Sequence, residues 1–367
     1  MIMSRPMVTV LMAVYNGEQY LRHAVESILN QTLRDFEFLI VNDGSTDASR
    51  HILLELDDPR VRLIENNRNF GLTKSLNNGI QAASGRYVAR QDADDISEPK
   101  RLATQVEYME THPAVAAVGS WCREIDAYGR VVGKMRLPTD ANELRWSLLF
   151  MCPFIHSGMI MRREIFQNQI GLYDEGFKYA QDHELWLRAS RRHTLTNIDS
   201  YLVRYRWHSQ SMTSTYGDLT NEGLELSTKT VANLLGWQKE RGHSSESNFR
   251  KMFSVLYERE VLASSTEIEE TVQQIWELFH AFCKAYSIGA FELDRLKRML
   301  IRRLSERYVR IAARKLEAGQ LAEACELYDR GLKTNRRALL TRKSARVAGN
   351  LLLRRPGAAI RSILGIG

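Results

Sequence analysis

What most constrains this chain is a repeated plan in its first ninety residues: a short β-branched run, a polar turn, then an amphipathic segment. Val8–Val14 is an apolar run of strand length, Tyr15-Asn16-Gly17 turns the chain, and residues 20–29 carry helical periodicity. Residues 36–41, the turn Asn42-Asp43-Gly44-Ser45-Thr46-Asp47 and a helix over 48–56 repeat it. A third strand covers 61–65, a third helix over 72–83 is stopped by Gly85, and residues 87–90 read as a fourth strand. Strands alternating with helices over short turns predict an α/β fold with a mostly parallel central sheet covered on both faces. Ligands of such sheets bind at the carboxyl ends of the strands.

The fourth strand runs directly into Asp92, Asp94 and Asp95. Three carboxylates in four positions are not accepted by a core unless something cationic meets them. On extended backbone Asp92 and Asp94 point the same way, with Ala93 leaving room between them. Such a pair suits a hard divalent cation, Mg2+ or Mn2+, that also holds a diphosphate. A solvated acidic turn, or a cap for the helix starting near Pro99, is the plainer account of the same residues. A parallel sheet brings Tyr15, Asp43 and the Asp92–Asp94 pair to one rim, which favours the ligand-binding account. The turn after the first strand has a single glycine, so neither a dinucleotide fingerprint nor a Walker loop is present to cradle phosphate.

With 367 residues and 44% hydrophobic content, the chain is long enough for two packed units. Its apolar runs are far shorter than a bilayer span, and no secretory apolar region follows the first residues, so a cytoplasmic location is expected. Four cysteines without C-x-x-C spacing read as reduced core thiols. The formal charge of +7 is uneven: residues 291–367 carry 19 Lys and Arg against 7 Asp and Glu, and from Arg336 on there are eight basic residues and no acid. That tail fits either a solvated helix face or contact with a polyanion such as an anionic membrane. Its aromatic residues are too sparse for base stacking, so no nucleic-acid partner is expected.

In the middle of the chain, residues 99–109 read as a helix, 114–118 as a strand, and 121–125 with 131–134 as a hairpin. Residues 155–161, with His156 and Ser157 near the start, read as strand-like. Asp182 stands at a helix start whose apolar face is Leu185, Trp186 and Ala189, which also suits an N-cap. Residues 198–206 return to strand character and end at Trp207-His208. From residue 220 on the pattern is helical, and 308–332 looks like one tetratricopeptide-type hairpin or a plain helix pair.

Six segments then occur in a telling order: VTVLMAVYN from Val8, VNDGSTD from Val41, NFGLTKSLN from Asn69, ARQDADD from Ala89, QDHELWLR from Gln181 and YRWH from Tyr205. Through them the sequence, over about residues 7–211, resembles the inverting, GT-A fold glycosyltransferases of family 2. The resemblance implies a catalytic domain over 1–215, followed by a helical, basic region over 216–367. It implies that the Ala13 backbone and Tyr15 hold the nucleotide base, that Asp43 accepts from the base edge, and that Lys74 lies in the segment closing over the nucleotide. Asp92 falls near the ribose or metal, Asp94 is the direct metal ligand, and His208 approaches the metal or diphosphate. Asp182 matches the catalytic base, and His156 falls on the acceptor side. Gln181 replaces the acid that usually precedes the base, and the Q-x-x-R-W signature of processive synthases is absent. The implied activity is transfer of one sugar from a nucleotide-diphosphate sugar to a lipid-linked or oligosaccharide acceptor in surface glycan or polysaccharide synthesis. The basic segment 336–367 is the expected contact with the cytoplasmic face of a membrane. Two other functions remain open at this stage: a non-catalytic nucleotide-sugar-binding scaffold, and a sugar nucleotidyltransferase. The second lacks the glycine-rich, basic loop it would need after the first strand.

Overall fold

The structure is a computed structural model that describes residues 5–209, 211, 221–237, 242–257, 264–335 and 347. The chain divides into two compact units, Met1–Ser227 and Thr228–Gly367. The boundary expected at 215–216 falls among residues outside the described set.

The first unit opens with β1 (Val8–Val14), α1 (Leu21–Leu29), β2 (Phe36–Asn42), α2 (Ser49–Leu54), β3 (Val61–Glu65), α3 (Leu72–Ala82) and β4 (Tyr87–Gln91). These four strands are parallel, with β1 flanked by β2 and β4 and β3 outside β2. Strand alternation divides their side chains between two cores. Val8, Val10, Met12 and Val14 pack with Leu21, Ala24, Val25 and Ile28 of α1, while Leu11, Leu39 and Val41 face Leu76 and Ile80 of α3. The lead-in to β4 lies so close to β1 that a Cβ on Gly85 would stand 2.3 Å from the Thr9 nitrogen. Glycine is required there for the two strands to pair.

The rest of the unit comprises β5 (Ile96–Ser97), α4 (Arg101–Thr111), β6 (Val115–Ile125), β7 (Val131–Met135), α5 (Ala141–Ser147), β8 (Ile160–Arg162), α6 (Arg163–Asn168), α7 (Gln181–Ser190) and β9 (Thr194–Arg206); α8 (Asn221–Leu235) begins in it. The sheet order is β3-β2-β1-β4-β8-β6-β9-β5, with β7 on β6. β9 runs parallel to β6, but β8 is antiparallel to both β4 and β6, β7 to β6 and β5 to β9. The sheet is therefore mixed, and the mostly parallel sheet expected from the sequence holds for its first four strands. The strand–helix alternation that predicted it ends at β4.

A second difference lies at 155–161. Residues His156–Gly158 form a 3-10 turn, closed by the Gly158 amide donating to the Ile155 carbonyl (2.8 Å), and only Ile160–Arg162 is strand. Gln105 from α4 locks that turn by donating to the Gly158 carbonyl at 2.7 Å.

The second unit is helical where described: α9 (Gly242–Tyr257), α10 (Ser265–Ala285), α11 (Ala290–Glu317) and α12 (Leu321–Thr334). Ser264 caps α10 by accepting from the Glu267 amide at 3.2 Å. The hairpin expected over 308–332 is the end of the long α11 paired with α12, drawn close where the Ser305 hydroxyl donates to the Gly331 carbonyl (2.9 Å). No described helix is long and apolar enough to cross a membrane. Apart from Val347, the basic segment 336–367 lies outside the described residues.

Candidate active site

At the rim formed by the ends of β1, β2 and β4, the turns after β1 and β2 hold one another. Asn16, at φ 51°, accepts from the Thr46 amide (2.8 Å), and Ser49 accepts from the Gly17 amide (2.8 Å), clasping the turns after β1 and β2. Ala13 is half-buried at the end of β1, and Tyr15 projects from it, exposed. The buried Asp43 takes hydrogen bonds from the Asn66 side chain (2.8 Å), the Phe70 amide (2.9 Å) and the Gly71 amide (2.9 Å). It thereby fixes the loop leading into α3, a role its position in the sequence did not reveal. Lys74 is not drawn to the acidic turn: its Nζ lies 3.8 Å from Glu175 and 5.7 Å from the Phe70 ring.

The three carboxylates after β4 each meet a different cationic or donor group. Asp92 pairs with the buried guanidinium of Arg90. An Asp94 oxygen lies 2.9 Å from Nε2 of His208, whose ring packs against Tyr20. The buried Asp95 accepts from the Arg206 amide at 2.8 Å. Beneath the turn, the buried Arg101 donates to Gln91 (2.9 Å), Ser97 (2.8 Å) and the Arg90 carbonyl (2.7 Å). Burial lowers its pKa to about 9, against the opposing pull of Asp95. Burial also raises the pKa of Asp92, Arg90 opposing and the Asp94 charge adding to it.

Asp182 occupies the first turn of α7 but does not cap it. Its carboxylate accepts from the amide of His183 (2.7 Å), while Ala180 holds the cap position. The amides ahead of the helix go to Glu222 of α8, which accepts from Lys178 (3.0 Å), Tyr179 (2.7 Å) and Ala180 (3.1 Å). The segment before α7 is tied to α3, since Asn77 exchanges hydrogen bonds with Tyr173 (3.0 Å each) and Thr73 donates to Phe177 (2.9 Å).

Around Asp182 stand Cys152, His156 and Tyr173. His156 Nε2 lies 3.1 Å from the Tyr173 hydroxyl, and its Nδ1, without a hydrogen-bond partner, lies 3.9 Å from Asp182. Burial, with Arg90 adding its charge, pushes the His156 pKa well below the usual value, so the ring is neutral. Burial likewise raises the Tyr173 phenol and the Cys152 thiol, keeping both protonated. Asp182 keeps 24% of its side-chain surface accessible, yet the surrounding protein and then the charge of Asp92 move its pKa up to about 6. Asp182 therefore lies within electrostatic reach of Asp92 in the acidic turn. The structure thus joins Asp92, Asp94, His208, Asp182 and His156, sets Ala13, Tyr15 and Asp43 on the adjoining rim by strand register, and leaves Lys74 with Glu175.

Among the described residues, no group of three or more His, Cys, Asp and Glu side chains forms a metal cage. The donor set present is one carboxylate and one imidazole, Asp94 and His208. Two protein donors match a hard cation that takes its remaining ligands from phosphate and water.

Arg90, Cys152, Tyr173, Arg206 and Glu222 complete the site and were not singled out from the sequence. Arg90 alone carried a signal, a cation inside a buried strand, which demands a nearby anion.

The family model for glycosyl transferase family 2 matches residues 9–169. An uncharacterized glycosyltransferase of Haemophilus influenzae is 34% identical over 227 residues, covering 59% of this chain and 70% of the relative. The amylovoran biosynthesis glycosyltransferase AmsE of Erwinia amylovora is 33% identical over 205 residues, covering 54% and 76%. Among solved structures, S. aureus TarS 1-349 in complex with UDP-GlcNAc superposes with a TM-score of 0.52 at 18% identity, over 90% of this chain and 91% of that one. The chain belongs to glycosyl transferase family 2, and its first unit has the GT-A fold.

Proposed function

We propose that this glycosyltransferase moves a single sugar, with inversion at the anomeric carbon, from a nucleoside-diphosphate sugar to a hydroxyl of a lipid-linked or oligosaccharide acceptor in surface glycan synthesis. What supports the reading is Asp182, a carboxylate that burial and the nearby charge of Asp92 push up to a pKa of about 6, with the neutral His156 ring 3.9 Å from it. A donor bound at the turn presents its sugar to that carboxylate. AmsE, by its name an amylovoran biosynthesis enzyme, supports the polysaccharide setting, and the UDP-GlcNAc complex of TarS supports a nucleotide-sugar donor.

In this mechanism the acceptor oxygen attacks the anomeric carbon while its proton passes to an Asp182 oxygen. The bond from that carbon to the β-phosphate oxygen breaks, and its electron pair leaves with the nucleoside diphosphate. A base with a pKa near 6 is ionised at neutral pH yet basic enough to draw the proton as attack develops. Neutral His156 has Nε2 3.1 Å from the Tyr173 hydroxyl and Nδ1 3.9 Å from the base; in the tautomer protonated on Nδ1, that N–H orients the acceptor hydroxyl toward Asp182. Asp43, Ala13 and Tyr15 frame the nucleotide base, and Asp92 lies toward the ribose. Asp94 and His208 would hold Mg2+ or Mn2+, which when bound supplies Lewis-acid stabilisation to the departing diphosphate.

Release of nucleoside diphosphate from UDP-sugars, with and without acceptor and Mn2+, tests the reading in the full chain. Asp182→Asn should lower transfer by roughly 10²–10⁴-fold while leaving the Mn2+-dependent thermal shift by UDP in place; transfer at the wild-type rate would overturn the assignment.

A further inference from the structure

Most large apolar side chains exposed on the described surface stand in separate segments, as Tyr15, Leu54, Phe70 and Phe291 do. Tyr128, Val131 and Val132 instead share the tip of the β6–β7 hairpin, where they are 84%, 53% and 62% exposed. Among the described residues β7 pairs with β6 alone, so it is an edge of the sheet. Single exposed apolar residues are ordinary, but three together at a sheet edge ask for an apolar partner.

Behind the tip the same hairpin is cationic. Lys134 stands opposite Arg123 on β6, and Arg123 opposite Arg204 on β9, a row of three cations on one face of three strands. Like charges directly opposite destabilise a sheet unless anions come between them. Glu98 serves Arg123 and Arg204, at 2.9 Å each, and Asp126 serves Arg130. Lys134 and Arg136 rest instead on aromatic rings, 5.7 Å from Tyr201 and 5.3 Å from Trp121, with Arg136 also donating to the Tyr201 hydroxyl at 3.0 Å. Arg130 covers Tyr128 at the turn. Along a strand, the three steps from Val131 to Lys134 span about 10 Å. A bilayer interface takes apolar groups to a depth of about 5–10 Å with cations outside them at the phosphates.

We propose that the β6–β7 hairpin docks this protein on an anionic lipid bilayer, Tyr128, Val131 and Val132 entering the interface while Lys134 and Arg136 meet lipid phosphates. A polar glycan chain could use the cations and rings but would leave the two valines without a partner. The hairpin also stands beside the site. One guanidinium, Arg206, donates to the Asp126 carbonyl (3.1 Å) and Ala127 carbonyl (3.3 Å) of the turn and to the Asp94 carbonyl (2.7 Å). Docking the tip therefore holds the Asp94 turn close to the membrane surface.

The test uses the full chain and vesicles of equal parts phosphatidylcholine and phosphatidylglycerol. Tyr128→Ser with Val131→Ser and Val132→Ser should lower vesicle binding about tenfold in flotation, and Lys134→Glu with Arg136→Glu should do likewise, with unfolding midpoints unchanged. Hydrogen exchange of amides 127–135 should slow when wild-type protein meets the vesicles. Wild-type binding by both variants overturns the proposal, as does slowing confined to residues 336–367. So does slowing of the hairpin amides by polygalacturonate and not by vesicles, which assigns the surface to an anionic glycan. Neither readout involves donor or transfer, so failure here and failure of the transferase reading are distinguishable.

Discussion

Along the rim of β1, β2 and β4, Tyr15, Asp43 and the Asp92–Asp94 pair come from the turns directly after their own strands, and the turns after β1 and β2 clasp one another. Asp182 is held differently. Its helix start is satisfied by Glu222, about 40 residues downstream, and its lead-in segment is fastened to α3, about 100 residues upstream. The two sides also differ electrostatically: Asp94 has a histidine against it, whereas Asp182 faces neutral groups and the like charge of Asp92. One side is arranged to meet charge, the other to keep a base poised. Substitutions on the two sides should therefore fail in different ways.

The largest effects separate the sides by what survives. Asp182→Asn should reduce transfer by roughly 10²–10⁴-fold, the usual scale of general-base catalysis, while UDP binding persists. Asp94→Asn should lose transfer together with the Mn2+-dependent thermal shift by UDP, as should chelation of the wild type. If both variants lose UDP binding alike, the division between the sides is wrong.

The same contrast predicts a pH signature. Asp182 has a folded pKa of about 6 against an ordinary 3.8, so the wild-type rate should fall about tenfold per pH unit below about 6. The stability effect has the opposite sign. Because the folded state binds this proton more tightly than the unfolded chain, ionisation of Asp182 costs stability, beginning near pH 4 and complete above pH 6. Allowing for its partial accessibility, the cost is about 1–3 kcal/mol. Asp182→Asn should thus be more stable than wild type at pH 7 and equal to it below pH 4, measurable by urea unfolding at the two pH values. An inactive variant that is also less stable at pH 7 would indicate that Asp182 is a structural anchor.

Glu222→Gln should act on one side alone. Three amides lose a charged acceptor, which costs about 1–3 kcal/mol, and transfer falls while UDP binding stays intact. This residue also marks how far the sequence could be read. The first four strands, the acidic turn and the Asp182 helix follow from local periodicity and turn chemistry. The local plan has no bearing on β8, whose direction depends on how the chain returns after α5, and it gave His156 to a strand where the structure has a turn. Asp43 was legible as a polar turn residue, but its hold on Asn66, Phe70 and Gly71 was not. Pairings across 23–44 residues, and caps lent by distant helices, leave no periodic trace.

The smallest expected effect falls on the rim. Gly44 sits at φ +68° with the Arg68 carbonyl carbon 2.5 Å from where a Cβ would be, so the turn carrying Asp43 rests directly on the loop that Asp43 binds. Gly44→Ala combines backbone strain with a contact against main chain, and it should cost about 1–3 kcal/mol. Because the displaced loop carries Phe70 and Gly71, UDP binding should weaken while the acid-side pKa of the transfer rate stays near 6. A shifted rate pKa would mean that the rim and Asp182 are coupled through α3, whose Asn77 and Thr73 reach the segment before α7. An unmoved one would mean that α3 transmits position without altering the surroundings of the base, which are set by burial, the His183 amide, Asp92 and Cys152.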